Sequence, residues 1–539
     1  MEQNKNFKIN SVYLENIVPL EKGNKPFPIK ICKDFVENEE ELKEFVKSLR
    51  EVKFSIKNND LYCLKQTVDL SEIPNKENKP IIKNFVKFIK EDVKEYIKKV
   101  TGFELTDKVT LTGSSYKKGD YLLPHNDQVS NRKVAFILYL NDKDKIIEGG
   151  KLNLFDVDEN EFPMNVVYTE APEFNKLSFF EVSNKSWHEV EEILNDGVER
   201  LSVNGWFHVK EDNNIVRKDV PEPIKEIIKE DFDLSLFLSS KMLDDKYMTV
   251  IKKRFEEDSY VALSDFLKKD VLDNINKELK QVKFKREGPW HKKNIMAFDE
   301  SQLPEESTLK KFLICSRSDT FMKYFSYITG LHFVDIPGAV TSYDGIEEEE
   351  DKNNIEDSLP IKKPKLDVAE ENVSSTETKK EEITMSHKFY RISKKCYICG
   401  DDQIAEKAIQ HGWSLDVKFF FTDTEWDNKT FGGYTSYITP YNEEEIFRIE
   451  PLNNVCFLVF KEPNCFDITK YVQNCCGDNY MNCLSISYMG LNNDCEGEEE
   501  SLDEEIYLDE ELEDEENIEN QSHGHEDASN AHEDTDNDE

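Results

Sequence analysis

The chain has 539 residues, and its 111 acidic and 70 basic side chains give a formal net charge of −41 at pH 7. This acidity argues against direct nucleic-acid binding through a basic surface, but it suits a basic protein partner. No run of about 18 apolar residues is present, so no membrane span is expected.

In chain order, residues 1–24 are polar and predict a flexible N-terminus without a secretory signal. We therefore expect a soluble intracellular protein with reduced thiols. Two apolar stripes then predict amphipathic helices that back a sheet: Leu42, Phe45, Val46 and Leu49 after Asp34, and Phe85, Phe88 and Ile89 after Pro80.

From about residue 110, short apolar segments alternate with Gly, Asn and Asp, which is the pattern of strands joined by turns. The predicted strands are 116–123, 134–140, 151–155, 177–182 and 201–209. A β unit with helices on one side is typical of a double-stranded β-helix, or jelly roll. The predicted fold class is α+β, mainly β.

A metal site is predicted from His125, Asp127 and His188. Residues i and i+2 of an extended strand point to the same face, so His125 and Asp127 can hold one ion. His188, from a neighbouring strand, would complete the two-histidine, one-carboxylate set of non-haem Fe(II) oxygenases. His208 is an alternative third ligand, but it lies at the far end of the strand that Arg200 opens. Each histidine alone is more often structural, so the prediction depends on the whole set in this order.

Arg200 is the predicted anchor of a co-substrate. Three open positions on the iron would take O2 and the 2-oxo acid end of 2-oxoglutarate. The far carboxylate of that acid then needs a fixed bidentate cation, which arginine supplies better than lysine. Ser202 and Asn204 follow Arg200 on the same strand face. The glycine pair Gly149-Gly150 suits a close approach between strands.

These residues resemble a known family, the 2-oxoglutarate- and iron-dependent prolyl hydroxylases that modify a small-subunit ribosomal protein of the decoding centre. The resemblance covers about residues 25–490, and it is carried by His125-x-Asp127, His188 and the run Arg200-Leu-Ser-Val-Asn-Gly-Trp-Phe-His208. It implies that Tyr139 hydrogen-bonds the co-substrate and that Tyr116 is a second pocket tyrosine. For both tyrosines the alternative is a half-buried barrel residue. The resemblance also implies prolyl 3-hydroxylation, ascorbate dependence and a role in translation.

Two sequence features bear on other substrates. Nucleobase demethylases of this fold usually carry a second arginine six positions after the first, where this chain has Trp206. Collagen-type prolyl hydroxylases carry lysine in place of Arg200 and are secretory. Two alternatives stay open: an oxygenase acting on another protein, and a non-enzymatic translation or stress scaffold with a vestigial iron site.

The same pattern recurs later in the chain and predicts a second copy of the fold. The matching pairs include Lys33-Asp-Phe35 with Ser264-Asp-Phe266, Val52-Lys-Phe54 with Val282-Lys-Phe284, Tyr116-x-x-Gly-Asp120 with Tyr397-x-x-Gly-Asp401, and Gly149-Gly150 with Gly432-Gly433. In this correspondence the second copy lacks the site residues: His125 maps to Glu406, Asp127 to Ala408, Tyr139 to Phe420, Arg200 to Cys483, and the His188 position falls in the histidine-free segment 466–473. The second copy should therefore bind neither metal nor 2-oxoglutarate.

The predicted organisation has six parts: the flexible N-terminus 1–24, a catalytic domain 25–215, a linker with helices 216–258, a degenerate second domain 259–493, an acidic disordered insert at about 345–385 within it, and an acidic disordered tail 494–539. The insert contains Pro360-Ile-Lys-Lys-Pro-Lys365, which resembles a nuclear import signal. The expected location is cytoplasm and nucleus.

Overall fold

The computed structural model describes two halves of the chain, built on two large antiparallel sheets. The described residues are 7–12, 27–73, 79–129, 131–210, 224–331, 333, 383–400, 412–439, 445–463 and 465–491. We call residues 7–210 the first half and residues 224–491 the second half. Residues 345–382 of the predicted insert, with the basic motif, and the predicted acidic tail lie outside the described residues, whereas the last residues of the insert, 383–385, lead into a strand that begins at Thr384.

The first sheet has eleven strands in the described part of the chain. They are β1 (Ile29–Cys32), β2 (Ser55–Asn58), β3 (Tyr62–Gln66), β4 (Val109–Tyr116), β5 (Tyr121–His125), β6 (Arg132–Tyr139), β7 (Leu152–Val157), β8 (Pro163–Glu170), β9 (Lys176–Glu181), β10 (His188–Val190) and β11 (Arg200–His208). Their order is β1-β9-β6-β11-β4-β3-β5-β10-β7-β8, and β2 pairs with β3.

The second sheet has twelve strands among the described residues. They are β12 (Ile224–Lys225), β13 (Tyr260–Ser264), β14 (Lys285–Glu287), β15 (Lys293–Ala297), β16 (Thr384–Ile392), β17 (Tyr397–Ile398), β18 (Trp413–Phe421), β19 (Thr435–Ile438), β20 (Glu445–Ile449), β21 (Val455–Lys461), β22 (Phe466–Thr469) and β23 (Met481–Leu491). Their order is β13-β21-β18-β23-β16-β15-β17-β22-β19-β20, while β12 pairs with β16 and β14 pairs with β15.

The two strand orders match position by position, from β1 with β13 to β8 with β20. Each sheet curls into a jelly roll, so the predicted fold class and its tandem repeat are confirmed. The glycine pairs match as well. Gly149 and Gly432 both have left-handed φ angles, 75° and 77°. A Cβ there would lie 1.9 Å from the Glu192 carbonyl oxygen and 2.4 Å from that of Tyr471, so only glycine fits either turn.

Helices cover one face of each sheet. Those of the first half are Glu39–Arg50, Pro80–Phe88, the π-helix Ile89–Val93 and Lys94–Thr101; those of the second half are Asp245–Asp258, Lys269–Leu279, Thr308–Cys315, Asp319–Thr329 and the short Asn428–Phe431. Short 3-10 turns span Leu234–Leu236, Ser240–Leu243, Glu300–Gln302 and Asn474–Cys476. The predicted stripe residues Leu42, Phe45 and Leu49 are fully buried, which confirms their place in the core. No described helix is long and apolar enough to span a membrane.

Two predictions about local structure were wrong. The predicted strand 116–123 is two strands, because the chain turns at Gly119, whose φ is 86°. Part of the N-terminus predicted to be flexible is packed: Phe7 is only 3% exposed, and its ring lies 5.3 Å from that of Phe85. The predicted linker with helices, residues 216–258, is described from residue 224 onward, and that part packs on the second sheet through β12 and the helix Asp245–Asp258. The exact domain boundaries stay predictions.

The strand register also corrects the correspondence between the copies. Phe54 corresponds to Phe284, so the next residues, Ser55 and Lys285, correspond as well, and so do their strand partners Gln66 and Ala297. Counted back three residues from these partners, Cys63 corresponds to Asn294. Cys63 lies opposite Tyr121, and Asn294 lies opposite Tyr397. Tyr397 is therefore the counterpart of Tyr121, not of Tyr116 as predicted.

The predicted counterpart of Arg200 was also wrong. Cys483 lies opposite Phe420, just as Ser202 lies opposite Tyr139. Since Phe420 matches Tyr139, Cys483 matches Ser202. Arg200 therefore matches Met481. Insertions between strands shift the offset, which a single sequence cannot locate.

Candidate active site

Two neighbouring strands bring the predicted metal ligands together. His125 ends β5 and His188 begins β10, and the two residues lie directly opposite each other in the register. Asp127 follows two residues after β5 with a left-handed φ of 62°, a conformation that non-glycine residues rarely adopt away from functional turns. In the described part of the chain, the donor atoms of His125, Asp127 and His188 all lie within 4.8 Å of one another.

Backbone carbonyls orient both imidazoles. His125 Nδ1 lies 2.9 Å from the Leu123 carbonyl oxygen, and His188 Nδ1 lies 2.7 Å from that of Ser186. A carbonyl only accepts, so each Nδ1 donates a proton and each Nε2 presents its lone pair. Both Nε2 atoms lie 3.4 Å from a carboxylate oxygen of Asp127. This arrangement fixes the tautomer and the ring orientation that a metal ligand needs.

The three groups also set each other's charge. Burial opposes ionisation of Asp127, yet His188 and His125 hold the pKa of its carboxyl well below the usual range. Burial also disfavours a proton on His125, but the Asp127 carboxylate outweighs it and raises the pKa of His125. Burial and the neighbouring His125 lower the pKa of His188. The site therefore offers an ionised carboxylate beside a neutral imidazole, as a divalent metal requires.

His208, the alternative third ligand, lies elsewhere. Its Nε2 is 3.0 Å from the Thr110 hydroxyl oxygen at the far end of β11. It is neither in the donor cluster nor among the residues that line the cavity around His125. The geometry thus favours His188.

Arg200 is buried in the same cavity, with 1% of its surface exposed. Its Nε donates to the Gly150 carbonyl oxygen at 2.8 Å, which explains the close strand approach at the glycine pair. Its Nη2 has no hydrogen-bond partner among the described residues, and no described carboxylate pairs with the guanidinium. A buried cation without a counter-ion is costly unless an anion binds there.

The two predicted tyrosines flank that guanidinium. Its central carbon lies 4.8 Å from the Tyr116 ring centre and 5.2 Å from that of Tyr139. Tyr116 lines the cavity, whereas Tyr139 is fully buried and is not among the lining residues. Burial raises the pKa of each tyrosine to about 12, so both hydroxyls remain proton donors at neutral pH.

Further buried hydroxyls belong to strands near the guanidinium. Ser202 follows Arg200 by two residues on β11, and its hydroxyl has no hydrogen-bond partner among the described residues. The side chains of Ser178 and Arg200 lie within hydrogen-bonding reach of the Tyr139 hydroxyl. Ser202 was marked by its spacing of two from Arg200, whereas Ser178, a serine inside the apolar strand β9, was missed. Hydroxyl donors beside a buried arginine fit the carboxylate of a 2-oxo diacid.

The cavity has a volume of about 670 Å³, and it contains the metal-ligand cluster, Arg200 and Tyr116. This size is within the range of pockets that hold a small ligand together with part of a second one. Arg200, His188 and Tyr116 are buried in its wall, and this shielding from bulk water strengthens their electrostatic interactions.

Comparison with known proteins agrees with this geometry. A family model described as "2OG-Fe(II) oxygenase superfamily" matches residues 111–208. A second model, described as "Oxoglutarate and iron-dependent oxygenase degradation C-term", matches residues 229–488. Residues 111–208 thus match the 2-oxoglutarate- and Fe(II)-dependent oxygenases. This oxygenase therefore uses Fe(II), 2-oxoglutarate and O2, and ascorbate is typical of the family.

Two relatives match this oxygenase over most of its length, and a third matches about half of it. Prolyl 3-hydroxylase OGFOD1 of Xenopus laevis is 29% identical over 479 residues, which cover 88% of this chain and 87% of the relative. Prolyl 3-hydroxylase OGFOD1 of Mus musculus is 28% identical, with 83% and 85% covered. Prolyl 3-hydroxylase sudestada1 of Drosophila melanogaster is 31% identical, with 51% and 53% covered. A solved prolyl-4-hydroxylase of Pseudomonas putida is 17% identical, with a TM-score of 0.28, and covers 34% of this chain and 93% of its own.

Proposed function

We propose that this oxygenase hydroxylates a prolyl residue of a protein, at carbon 3. The observation that carries the proposal is the buried Arg200 guanidinium, which has no carboxylate partner among the described residues and lines the same cavity as His125, Asp127 and His188. In combination, these groups suit a 2-oxo diacid bound to iron. The choice of proline rests on similarity to relatives named prolyl 3-hydroxylases.

Each site residue has a distinct role in this proposal. His125, Asp127 and His188 hold Fe(II), and the carbonyl oxygens on both Nδ1 atoms keep the imidazoles in place. Arg200 anchors the far carboxylate of 2-oxoglutarate, with the Tyr139 hydroxyl as a second donor. When bound, iron and co-substrate would supply the oxidising power: 2-oxoglutarate would lose CO2 to give succinate, and the two oxygen atoms of O2 would go to succinate and to the substrate. The chain positions the target C–H bond and excludes competing reactions.

The proposed protein substrate is a ribosomal protein of the small-subunit decoding centre, and the proposed locations are cytoplasm and nucleus. Family resemblance supports this substrate. The net charge of −41 also supports it, because ribosomal proteins are generally basic and opposite charges speed association. Modification of such a protein would link the enzyme to translational accuracy or termination.

The test measures succinate formation from 2-oxoglutarate with Fe(II), O2 and ascorbate, with and without the decoding-centre ribosomal protein. Wild type, His125→Ala and Arg200→Ala are compared, and the substrate is analysed by peptide mass spectrometry. We expect succinate and a proline that gains one oxygen atom only with wild type. Turnover without a mass change on that protein would reject the substrate, and the absence of both iron binding and turnover would reject the enzyme.

A further inference from the structure

The wall of the active-site cavity includes residues of the second half. His291, Lys292, Cys399 and Gly400 line the same space as His125 and Arg200. Both halves belong to one compact unit, residues 1–492. The degenerate half therefore completes the catalytic cavity of the first half.

A pair of equivalent hairpin loops makes this connection. Residues 59–61 join β2 to β3 in the first half, and residues 288–292 join β14 to β15 in the second. We call β14, the loop 288–292 and β15 together the entrance hairpin. The first loop reaches into the second half: the Gly400 amide donates to the Asp60 carboxylate at 3.0 Å, and the Lys470 ammonium donates to the Asn59 carbonyl oxygen. The entrance hairpin reaches the first half in turn, where His291 contacts Phe162 and Trp187.

In the entrance hairpin, His291 contacts the first half through its ring. The imidazole stacks on Phe162, with ring centres 4.7 Å apart and planes at 21°. It also lies 4.8 Å from the ring of Trp187, the residue that directly precedes His188. All three rings line the cavity. They therefore form one aromatic wall that begins next to the metal ligands and ends on the second half.

Other contacts hold this wall in place. The Tyr397 hydroxyl donates to the Trp290 carbonyl oxygen at 2.5 Å, and the Cys399 amide donates to that of Lys292 at 2.7 Å. On the other side, the Trp187 indole donates to the Glu161 carbonyl oxygen at 2.7 Å. Two carbonyl oxygens of the loop 288–292 are thus held by residues of the second half, as a specificity-determining surface requires.

We propose that His291 binds the protein substrate, with Phe162 and Trp187, through an aromatic face that receives the target proline or its neighbours. Proline rings pack well on aromatic surfaces, and extended proline-containing segments bind aromatic-lined grooves. The inference rests on the proposed prolyl hydroxylation, and it gives the degenerate half a direct part in substrate choice. His291 lies on the substrate wall and belongs to neither the metal cluster nor the Arg200 pocket.

The test uses the full chain with a recombinant decoding-centre ribosomal protein as the probe. Three variants are compared with wild type: His291→Ala, His291→Phe, which keeps a stacking ring, and the matched control Lys285→Ala on the exposed strand of the same hairpin. We expect His291→Ala to raise the KM for the probe by about five- to tenfold, the scale of one lost aromatic contact. The rise should concern the KM for the probe and not the KM for 2-oxoglutarate. His291→Phe and Lys285→Ala should stay near wild type.

A second measurement separates this inference from the proposed function. Calorimetric binding of the probe, without oxygen and with Mn(II) and 2-oxoglutarate, reads substrate contact in the absence of turnover. If wild type binds but does not hydroxylate, and His291→Ala binds more weakly, prolyl hydroxylation fails and the substrate wall stands. If wild type hydroxylates and His291→Ala matches it in KM and Kd, the substrate wall is rejected alone. Equal losses in His291→Ala and His291→Phe would reject stacking, and no binding by wild type would reject both proposals.

Discussion

His188 faces the first cavity from β10, and the matching strand β22 places Asp467 at the equivalent position of the second half. The register gives this pairing: Val190 lies opposite Leu122, and Thr469 lies opposite Ile398, the counterpart of Leu122. Where the first half has an open metal-ligand cluster, Asp467 lies 2.9 Å from Lys418 and 3.5 Å from Lys461. Lys461 also lies 3.0 Å from Asp416.

These four charged side chains take the place of a ligand site. Lys418 and Asp416 are each 3% exposed. Burial opposes the charges of Asp467, Lys418 and Lys461, but the lysines hold the pKa of Asp467 far below its usual range, and the aspartates raise the pKa of both lysines. The same sheet can therefore keep polar groups waiting for a ligand or satisfy them internally. Polar groups without internal partners cost stability but can bind a ligand. Charged groups that pair with one another leave no ligand site.

The largest expected effect comes from breaking the open cluster. Asp127→Ala should abolish iron binding and lower succinate formation by more than about 100-fold, since even partners of metal ligands contribute 10- to 100-fold. Iron content and turnover are measured on purified protein. His208→Gln is the control for the alternative third ligand, and this variant should keep its iron. Loss of iron in His208→Gln with retention in His188→Gln would reverse the assignment.

Breaking the closed cluster should affect stability and not chemistry. Lys418→Met leaves Asp467 short of positive charge in a buried site, and we expect a loss of about 3–5 kcal/mol in the free energy of unfolding. Denaturant unfolding of the full chain measures it. The double variant Lys418→Met with Asp467→Leu removes one charge of each sign and should recover most of the loss. Iron content of the folded variants should equal that of wild type, and a change in it would contradict the separation of the two sites.

Arg200 tests the co-substrate side of the open site. Arg200→Lys keeps the charge but loses the bidentate geometry, so the KM for 2-oxoglutarate should rise about 10- to 100-fold, the scale of a charged hydrogen bond. Iron binding should persist. The dependence of succinate formation on 2-oxoglutarate concentration measures this effect. An unchanged KM would show that another group anchors the acid.

A smaller effect is expected from acid, which should lower the free energy of unfolding through a buried histidine of the second half. Burial, with Arg317 and Lys225 nearby, lowers the pKa of His387 in the second half to about 3, and its Nε2 lies 2.8 Å from the Ser316 hydroxyl oxygen. The folded state keeps this histidine neutral, so its contribution to stability is present above pH 6.5 and is lost as the pH falls toward 3. Between pH 6.5 and 5 we expect a loss of about 2 kcal/mol.

The matched variant for this prediction is His387→Gln. It keeps a polar partner for Ser316 and cannot titrate in this range. Unfolding free energies of wild type and variant are compared from pH 7 to pH 5. The wild type should show the steeper decline, and parallel curves would contradict the assignment.

Much of the candidate site could be predicted from the sequence because its parts follow local rules. His125 and Asp127 are two residues apart at a strand end, and Arg200 opens a strand whose alternate residues face the same cavity. Ser178 could not be predicted, since nothing local distinguishes it from other serines in strands. Asp467 could not be matched to His188 either, because the position depends on strand pairing and not on a constant offset.

Contacts between the halves could not be predicted from the sequence either. The stacking of His291 on Phe162 joins residues 129 positions apart, and no pattern along the chain marks either of them. The packed N-terminal segment shows the same limit: Phe7 is an isolated apolar residue among polar ones, and its burial depends on helices that come later. Periodicity predicts which face of an element is buried, but not which distant element covers it.

The exchange of hairpins between the halves has a consequence for how the cavity is assembled. In a dimer of separate chains, a wall shared between two copies would dissociate on dilution. Here both copies belong to one polypeptide, so their association is intramolecular and does not depend on protein concentration. The entrance hairpin therefore reaches the catalytic half equally well in a scarce protein and in an abundant one.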